Sequence, residues 1–123
     1  MKLVDSNILI YAARPGAEAL RNAIPWEEVA VSVVTRIEVL GYHRLKDEER
    51  AALDALFGAL EVLAVTPEVA DRAIALRRLR RMSLGDSIIA ATALVRGIPL
   101  VTHNVPDFEG IQDLRIEDPV ADG

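Results

Sequence analysis

The chain has 123 residues, of which 51% are hydrophobic, so it suits one compact domain with a real core. It contains no cysteine, which excludes disulfide scaffolds, thiolate zinc sites and cysteine nucleophiles. Its formal net charge of −5 argues against a general nucleic-acid coat protein, because phosphate binding depends on basic side chains.

The first half of the chain predicts two strands, each followed by two helices. A buried strand over residues 3–5 leads into a helix through Ala12, for which Ser6 and Asn7 are candidate caps. The next elements are, in order, a helix over 18–23, a strand over 29–32, a helix starting at Thr35 and a helix over 47–60.

The second half predicts three further strands. A strand over 61–65 precedes Thr66 and Pro67, a threonine cap and a first-turn proline that open a helix through Arg80. Asp86 begins an almost continuously apolar helix that Gly97 ends. The remaining elements are a strand over 99–102, a loop or single turn over 104–108 and a short strand over 114–116. This order predicts a single three-layer α/β domain over residues 1–123, with 117–123 as a loose tail.

The apolar runs are too short to span a bilayer, and the first residues read as a strand. We therefore expect a cytoplasmic protein with no membrane contact.

Four acidic residues lie far apart in the chain, each where a predicted strand ends or a predicted helix begins: Asp5, Glu38, Asp86 and Asp107. Because the carboxyl ends of parallel strands face a common crevice, these side chains should form one acidic pocket. Such a pocket favours Mg²⁺ or Mn²⁺, which can activate water against a phosphodiester. The pattern therefore predicts a metal-dependent nuclease.

Each acid also has a simpler structural explanation. Asp5 could cap the first helix, and Thr35 and Glu38 have the spacing of a capping box. Asp86 suits the positive end of a helix, and Asp107 suits a turn. All four coincidences would have to hold together, which favours the pocket.

Four motifs contain these acids and their polar neighbours. They are Val4-Asp5-Ser6-Asn7, Thr35-x-x-Glu38, Gly85-Asp86-x-x-Ile89-Ala90-Ala91-Thr92-Ala93 and Thr102-x-Asn104-x-x-Asp107-Phe108. Their order and separations resemble the PIN-domain family, particularly the VapC-like toxins of bacterial and archaeal toxin–antitoxin modules. The resemblance spans nearly the whole chain.

The resemblance implies a small α/β/α sandwich around a central, mainly parallel, twisted sheet. It also implies a Mg²⁺- or Mn²⁺-dependent endoribonuclease, commonly dimeric, whose acidic pocket is blocked by a cognate antitoxin. The family's acidic positions fall on Asp5, Glu38, Asp86 and Asp107, as both catalytic residues and metal ligands, and its polar positions fall on Asn7, Thr102 and Asn104. The fourth acid occurs at either the Asn104 or the Asp107 position in the family, and Asp107 is preferred because it carries charge.

Basic residues are concentrated between Arg72 and Gly85, a stretch that contains no acid. Its cluster of four arginines is a candidate contact for RNA or antitoxin: Arg77, Arg78, Arg80 and Arg81. The alternative is an ordinary solvated helix face.

Three other functions compete with the toxin nuclease. Two share its architecture, namely a PIN-like nucleic-acid-binding scaffold and an RNA-processing nuclease outside a toxin–antitoxin system. The third is a Mg²⁺-dependent phosphoryl-transfer domain of receiver or haloacid-dehalogenase type, which would need a lysine near the phosphoryl group. Lys2 and Lys46 do not follow a late strand, so that function is disfavoured.

Overall fold

A computed structural model describes residues 1–120 of the chain, which form five strands, seven helices and one 3-10 turn. The strands are β1 (Lys2–Val4), β2 (Val29–Ser32), β3 (Glu61–Leu63), β4 (Leu100–Val101) and β5 (Ile116–Glu117). The helices are α1 (Ser6–Ala12), α2 (Glu18–Ala23), α3 (Val33–Leu40), α4 (Asp47–Gly58), α5 (Pro67–Leu79), α6 (Leu84–Arg96) and α7 (Val105–Phe108), and the 3-10 turn is Trp26–Glu28.

The five strands form one sheet in the order β3-β2-β1-β4-β5, and every pairing is parallel. Leu3 of β1 pairs with Ala30 of β2 on one side and with Leu100 of β4 on the other. Strands β2 and β3 are added in turn on one side of β1, and β4 and β5 are then added on its other side. The reversal lies between β1 and β4, where parallel α/β sheets open a crevice at their carboxyl ends.

Both faces of the sheet are covered by helices, because successive residues of a strand point to opposite sides. Leu3 and Leu100 pack with the apolar stripes of α5 and α6 in one buried cluster. Val4, Val31 and Val101 pack in a second cluster with residues of α1, α3 and α4. The predicted three-layer α/β/α sandwich with a parallel central sheet is therefore confirmed.

Two helices begin earlier than the sequence predicted. The Ser32 side chain accepts a hydrogen bond from the Val34 backbone at 3.1 Å, so α3 starts at Val33. Thr35 lies inside the helix and is fully buried, and the capping-box explanation of Thr35 and Glu38 is wrong. Ser83 caps α6 in the same way, so Asp86 lies in the first turn and is not the first residue.

The end of the chain is more ordered than expected. Glu117, assigned from the sequence to a loose tail, is the second residue of β5 and pairs with Val101. The last part of the predicted tail, residues 121–123, lies outside the described residues. Residues 104–108, predicted as a loop or single turn, contain the one-turn helix α7. Within residues 1–120, no helix has the length and apolar character needed to cross a bilayer.

Candidate functional site

Asp5 is the buried centre of the site. It directly follows β1 and is 4% exposed. One carboxylate oxygen, Oδ1, accepts a hydrogen bond from the Ser6 backbone at 2.7 Å, and Oδ2 accepts one from the Thr102 hydroxyl at 2.7 Å. The Thr102 hydroxyl also accepts a bond from the Asn104 backbone at 3.0 Å. Asp5 thus caps α1, as the simpler structural explanation predicted. The bond from Thr102, which follows β4, also fixes its carboxylate at the crevice between β1 and β4.

A cavity of about 270 Å³ opens beside Asp5. Its lining comprises Asp5, Ser6, Asn7, Ile10, Glu38, Val39, Asp86 and Asn104. The structure therefore brings together three of the four predicted acids and two of the three predicted polar residues. The third polar residue, Thr102, contributes through its bond to Asp5.

Asp107 lies on α7 and borders a second cavity of about 520 Å³. Asp86 lines both cavities and so connects Asp107 with the first. Both candidates for the fourth position are therefore at the site, with Asn104 in the first cavity and Asp107 in the second.

The carboxylates are close enough to affect one another's ionisation. Burial raises the pKa of Asp5 above its ordinary value of 3.8, and the charges of Glu38 and Asp107 raise it further, against the hydrogen bonds from Thr102 and Ser6. Burial also raises the pKa of Asp86, and the charges of Asp5 and Asp107 add to that shift. A cation at this position would relieve both the repulsion and the cost of burying charge.

Glu38 is held at the cavity by Ser6. The Ser6 hydroxyl lies 3.1 Å from Glu38 Oε1 and 3.3 Å from the Thr35 hydroxyl, so it connects α1 to α3. From the sequence, Ser6 was expected only to cap α1 beside Asp5. Its position in a motif that already supplied Asp5 and Asn7 was the available signal.

Asn7 supplies the clearest evidence that the site is built for a ligand. Its Oδ1 and Nδ2 atoms are both buried, and neither has a hydrogen-bond partner among the described residues. Buried amide groups are nearly always paired, so an unpaired one beside carboxylates indicates a place for water or an ion.

The donor set suits a hydrated hard cation. Within residues 1–120, no three acidic or histidine side chains are arranged to hold a metal ion by themselves. Mg²⁺ commonly keeps several waters and takes only one or two protein carboxylates, and oxygen donors also suit Mn²⁺. The oxygens around this cavity therefore fit a partly hydrated Mg²⁺ or Mn²⁺.

The four predicted arginines divide into two pairs. Arg77 and Arg78 lie in the last turn of α5 and are exposed. Arg80 and Arg81 follow the helix and line the second cavity together with Asp86. The second pair therefore puts positive charge next to the acids, where a phosphate could be neutralised.

Arg80 also fixes the turn that carries Asp107. Its guanidinium donates to the backbone oxygen of Glu109 at 2.7 Å and to that of Asp107 at 3.3 Å. Hydrogen bonds from a charged fork hold backbone in a fixed position. The sequence did not reveal this role, because Arg80 is 29 residues from Glu109 and 27 residues from Asp107.

We expect Arg80→Ala to loosen α7 and displace Asp107. The lost hydrogen bonds should lower the free energy of unfolding by about 1 kcal/mol, since the guanidinium is partly solvated. Hydrogen exchange of the Glu109 and Ile111 amides should accelerate. Arg77→Ala, which removes an exposed arginine of the same cluster, is the matched control and should leave both quantities unchanged.

Comparison with known proteins agrees with this architecture. A family model described as the PIN domain matches residues 2–112. Ribonuclease VapC19 of Mycobacterium tuberculosis is 36% identical, with 94% of this chain and 98% of the relative covered. The tRNA(fMet)-specific endonuclease VapC of Shigella flexneri is 29% identical, with 94% and 96% covered.

A solved structure gives the same result in three dimensions. A toxin–antitoxin complex from Klebsiella pneumoniae superposes with a TM-score of 0.77 at 31% sequence identity, and 97% of this chain and 98% of that chain are covered. The match over nearly the whole fold, together with the family model and the relatives, confirms the resemblance seen in the four motifs. The chain therefore belongs to the PIN-domain family, among its VapC-like members.

Proposed function

We propose that this protein is a Mg²⁺- or Mn²⁺-dependent endoribonuclease and the toxin of a toxin–antitoxin pair. The observation that carries the proposal is the gathering of Asp5, Glu38 and Asp86 around one cavity that Asn7, with its buried and unpaired amide, also lines. PIN-domain membership and similarity to VapC ribonucleases supply the reaction class.

The chain's own residues have distinct tasks in this proposal. Asp5 and Asp86 provide the partly buried negative charge that binds the cation, and Glu38 adds a carboxylate from the exposed side. Asp107 contributes directly or through water. When bound, the cation supplies Lewis-acid activation of water and neutralises charge on the phosphate.

The substrate and partners follow from the same surfaces. Arg80 and Arg81 lie beside the acids. They would neutralise the RNA phosphates that flank the scissile phosphate. The Klebsiella pneumoniae neighbour is a toxin–antitoxin complex. We therefore propose a cognate antitoxin that covers the acidic cavity. From the family resemblance alone we also propose a homodimeric toxin, and from the short apolar runs of the sequence a cytoplasmic location.

The phosphoryl-transfer alternative lacks its lysine. Lys2 pairs with Glu117 of β5, and Lys46 precedes α4, where its backbone N–H donates to the Glu49 carboxylate at 3.3 Å. Neither lysine lines the two cavities. A non-catalytic nucleic-acid-binding scaffold is disfavoured because four acids around one site would repel phosphate rather than bind it.

Metal removal tests the proposal. Purified protein should cleave a structured RNA in Mg²⁺ or Mn²⁺, lose that cleavage in excess EDTA and regain it when the metal is restored. The readout is the appearance of discrete fragments on a denaturing gel. Cleavage that persists in EDTA after exhaustive dialysis would contradict metal dependence, and RNA binding without cleavage in either metal would favour the scaffold.

A further inference from the structure

Gly85 lies directly against the Glu38 carboxylate. A Cβ atom added at Gly85 would lie 2.6 Å from Glu38 Oε2, 3.1 Å from Cδ and 3.3 Å from Oε1. The first of these distances is shorter than real Cβ contacts, so any side chain at position 85 would have to displace the carboxylate. The present position of the Glu38 carboxylate therefore depends on the missing side chain.

The backbone gives no other reason for glycine at this position. Gly85 is the second residue of α6, and its φ is not among the positive values found at Gly16, Gly97 and Gly110. Glycine inside a helix is less stable than alanine. An alanine at position 85 would thus stabilise the helix, but its Cβ would clash with the Glu38 carboxylate.

Glu38 needs such fixing because it lies on the exposed side of the site. Its side chain is long and flexible, and burial does not restrict it. Ser6 contacts one oxygen, Oε1, at 3.1 Å, while Gly85 borders the other, Oε2. Between these two contacts the carboxylate reaches the cavity that Asp5 and Asp86 also line.

We propose that Gly85 is a positioning residue for metal binding: by lacking a side chain, it admits the Glu38 carboxylate to the first turn of α6 beside Asp86. This inference rests on the proposed function, specifically on Glu38 as a metal ligand. Gly85 touches neither substrate nor metal, and its effect passes entirely through Glu38.

The primary test is Gly85→Ala, with Mn²⁺ alone as the probe. Mn²⁺ affinity, measured by electron paramagnetic resonance of the free ion, should fall by about 10- to 100-fold, the usual effect of disturbing a ligand's support. The melting temperature of the metal-free protein should be unchanged or higher. RNA cleavage should require correspondingly more Mn²⁺ and approach the wild-type rate at saturation, a split that general damage to the fold would not give.

The matched control is Gly58→Ala. Gly58 is also helical, at the end of α4, and an added Cβ there would meet nothing within 4 Å. The control should leave Mn²⁺ affinity unchanged. Equal affinity in wild type and Gly85→Ala would overturn the inference while leaving the proposed function intact, whereas wild type that binds no Mn²⁺ would overturn the proposed function and the inference with it.

A double variant isolates the steric cause. Glu38→Asp shortens the side chain by one methylene and withdraws the carboxylate from Gly85, so adding Gly85→Ala to Glu38→Asp should cost little further affinity. Fully additive losses would overturn the inference. Should Gly85→Ala alone not fold, recovery of folding in the double variant would support the clash, and failure to recover would count against it.

Discussion

Asp5→Asn and Asp86→Asn should each lower the rate of RNA cleavage by about 10²- to 10³-fold, because each removes a negative charge that holds the cation. The bound cation contributes several kcal/mol of transition-state stabilisation. Both amides match the carboxylates in size, so the packing should persist. Asp86→Asn should melt at or above the wild-type temperature in metal-free buffer, since it relieves the repulsion from Asp5 and Asp107. Single-turnover cleavage and thermal unfolding, measured on the same samples, check both parts.

Asp71→Asn is the matched control for these variants. Asp71 is an exposed aspartate on α5 and lines neither cavity, so the same chemical change there should leave cleavage at the wild-type rate. Full activity in Asp5→Asn and Asp86→Asn would contradict the assignment of the site. Loss of activity together with loss of the folded state in Asp5→Asn would instead indicate a structural role for the hydrogen bond from Thr102 to the carboxylate, because asparagine caps a helix about as well as aspartate.

The strands and their acids were predictable because local patterns encode them. Leu3 and Val4 form an apolar run that ends at Asp5, and such a run followed by a capping residue predicts a strand entering a helix. The neighbour of β1 was not predictable in this way. Asp5 meets Thr102 across 97 residues, and only the strand order places them side by side.

The start of α3 was harder to predict because Thr35 and Glu38 have the spacing of a capping box, which favoured a start at Thr35. The cap at Ser32 was not identified from the sequence. Thr35 is fully buried within α3, which leaves the cap to Ser32 and frees Glu38 to meet Ser6.

The supporting contacts of the site depend on packing between distant elements. Ser6 reaches Glu38, Gly85 makes room for it, and Arg80 holds the backbone beside Asp107. Each contact joins helices whose relative position the sequence pattern does not specify. Residue type together with position at predicted strand ends and helix starts therefore indicated the acids, while three-dimensional proximity identified the residues that hold them.

The stability of the metal-free protein should carry a pH signature of Asp5 and Asp86. Both folded-state pKa values lie above the ordinary value of 3.8, so the folded protein holds these protons to higher pH than the unfolded chain. Their contribution to the free energy of unfolding is therefore fully present below about pH 3.8 and is lost as the pH rises through the raised pKa values. The difference in unfolding free energy between wild type and the double variant Asp5→Asn/Asp86→Asn isolates this contribution from all other titrating groups.

Divalent metal should reverse that trend, because it binds only the ionised carboxylates and competes with their protons. Stabilisation by Mn²⁺ should be smallest near pH 3.8, the ordinary carboxyl pKa, and grow as the pH rises through the raised pKa values of Asp5 and Asp86, reaching about 2.7 kcal/mol when the free metal is 100 times its dissociation constant. Thermal unfolding with Mn²⁺ and with EDTA across this range measures the difference. The double Asn variant should show little metal stabilisation at any pH. Equal stabilisation of both proteins, or a gain independent of pH, would mean that the ion binds somewhere other than these two aspartates.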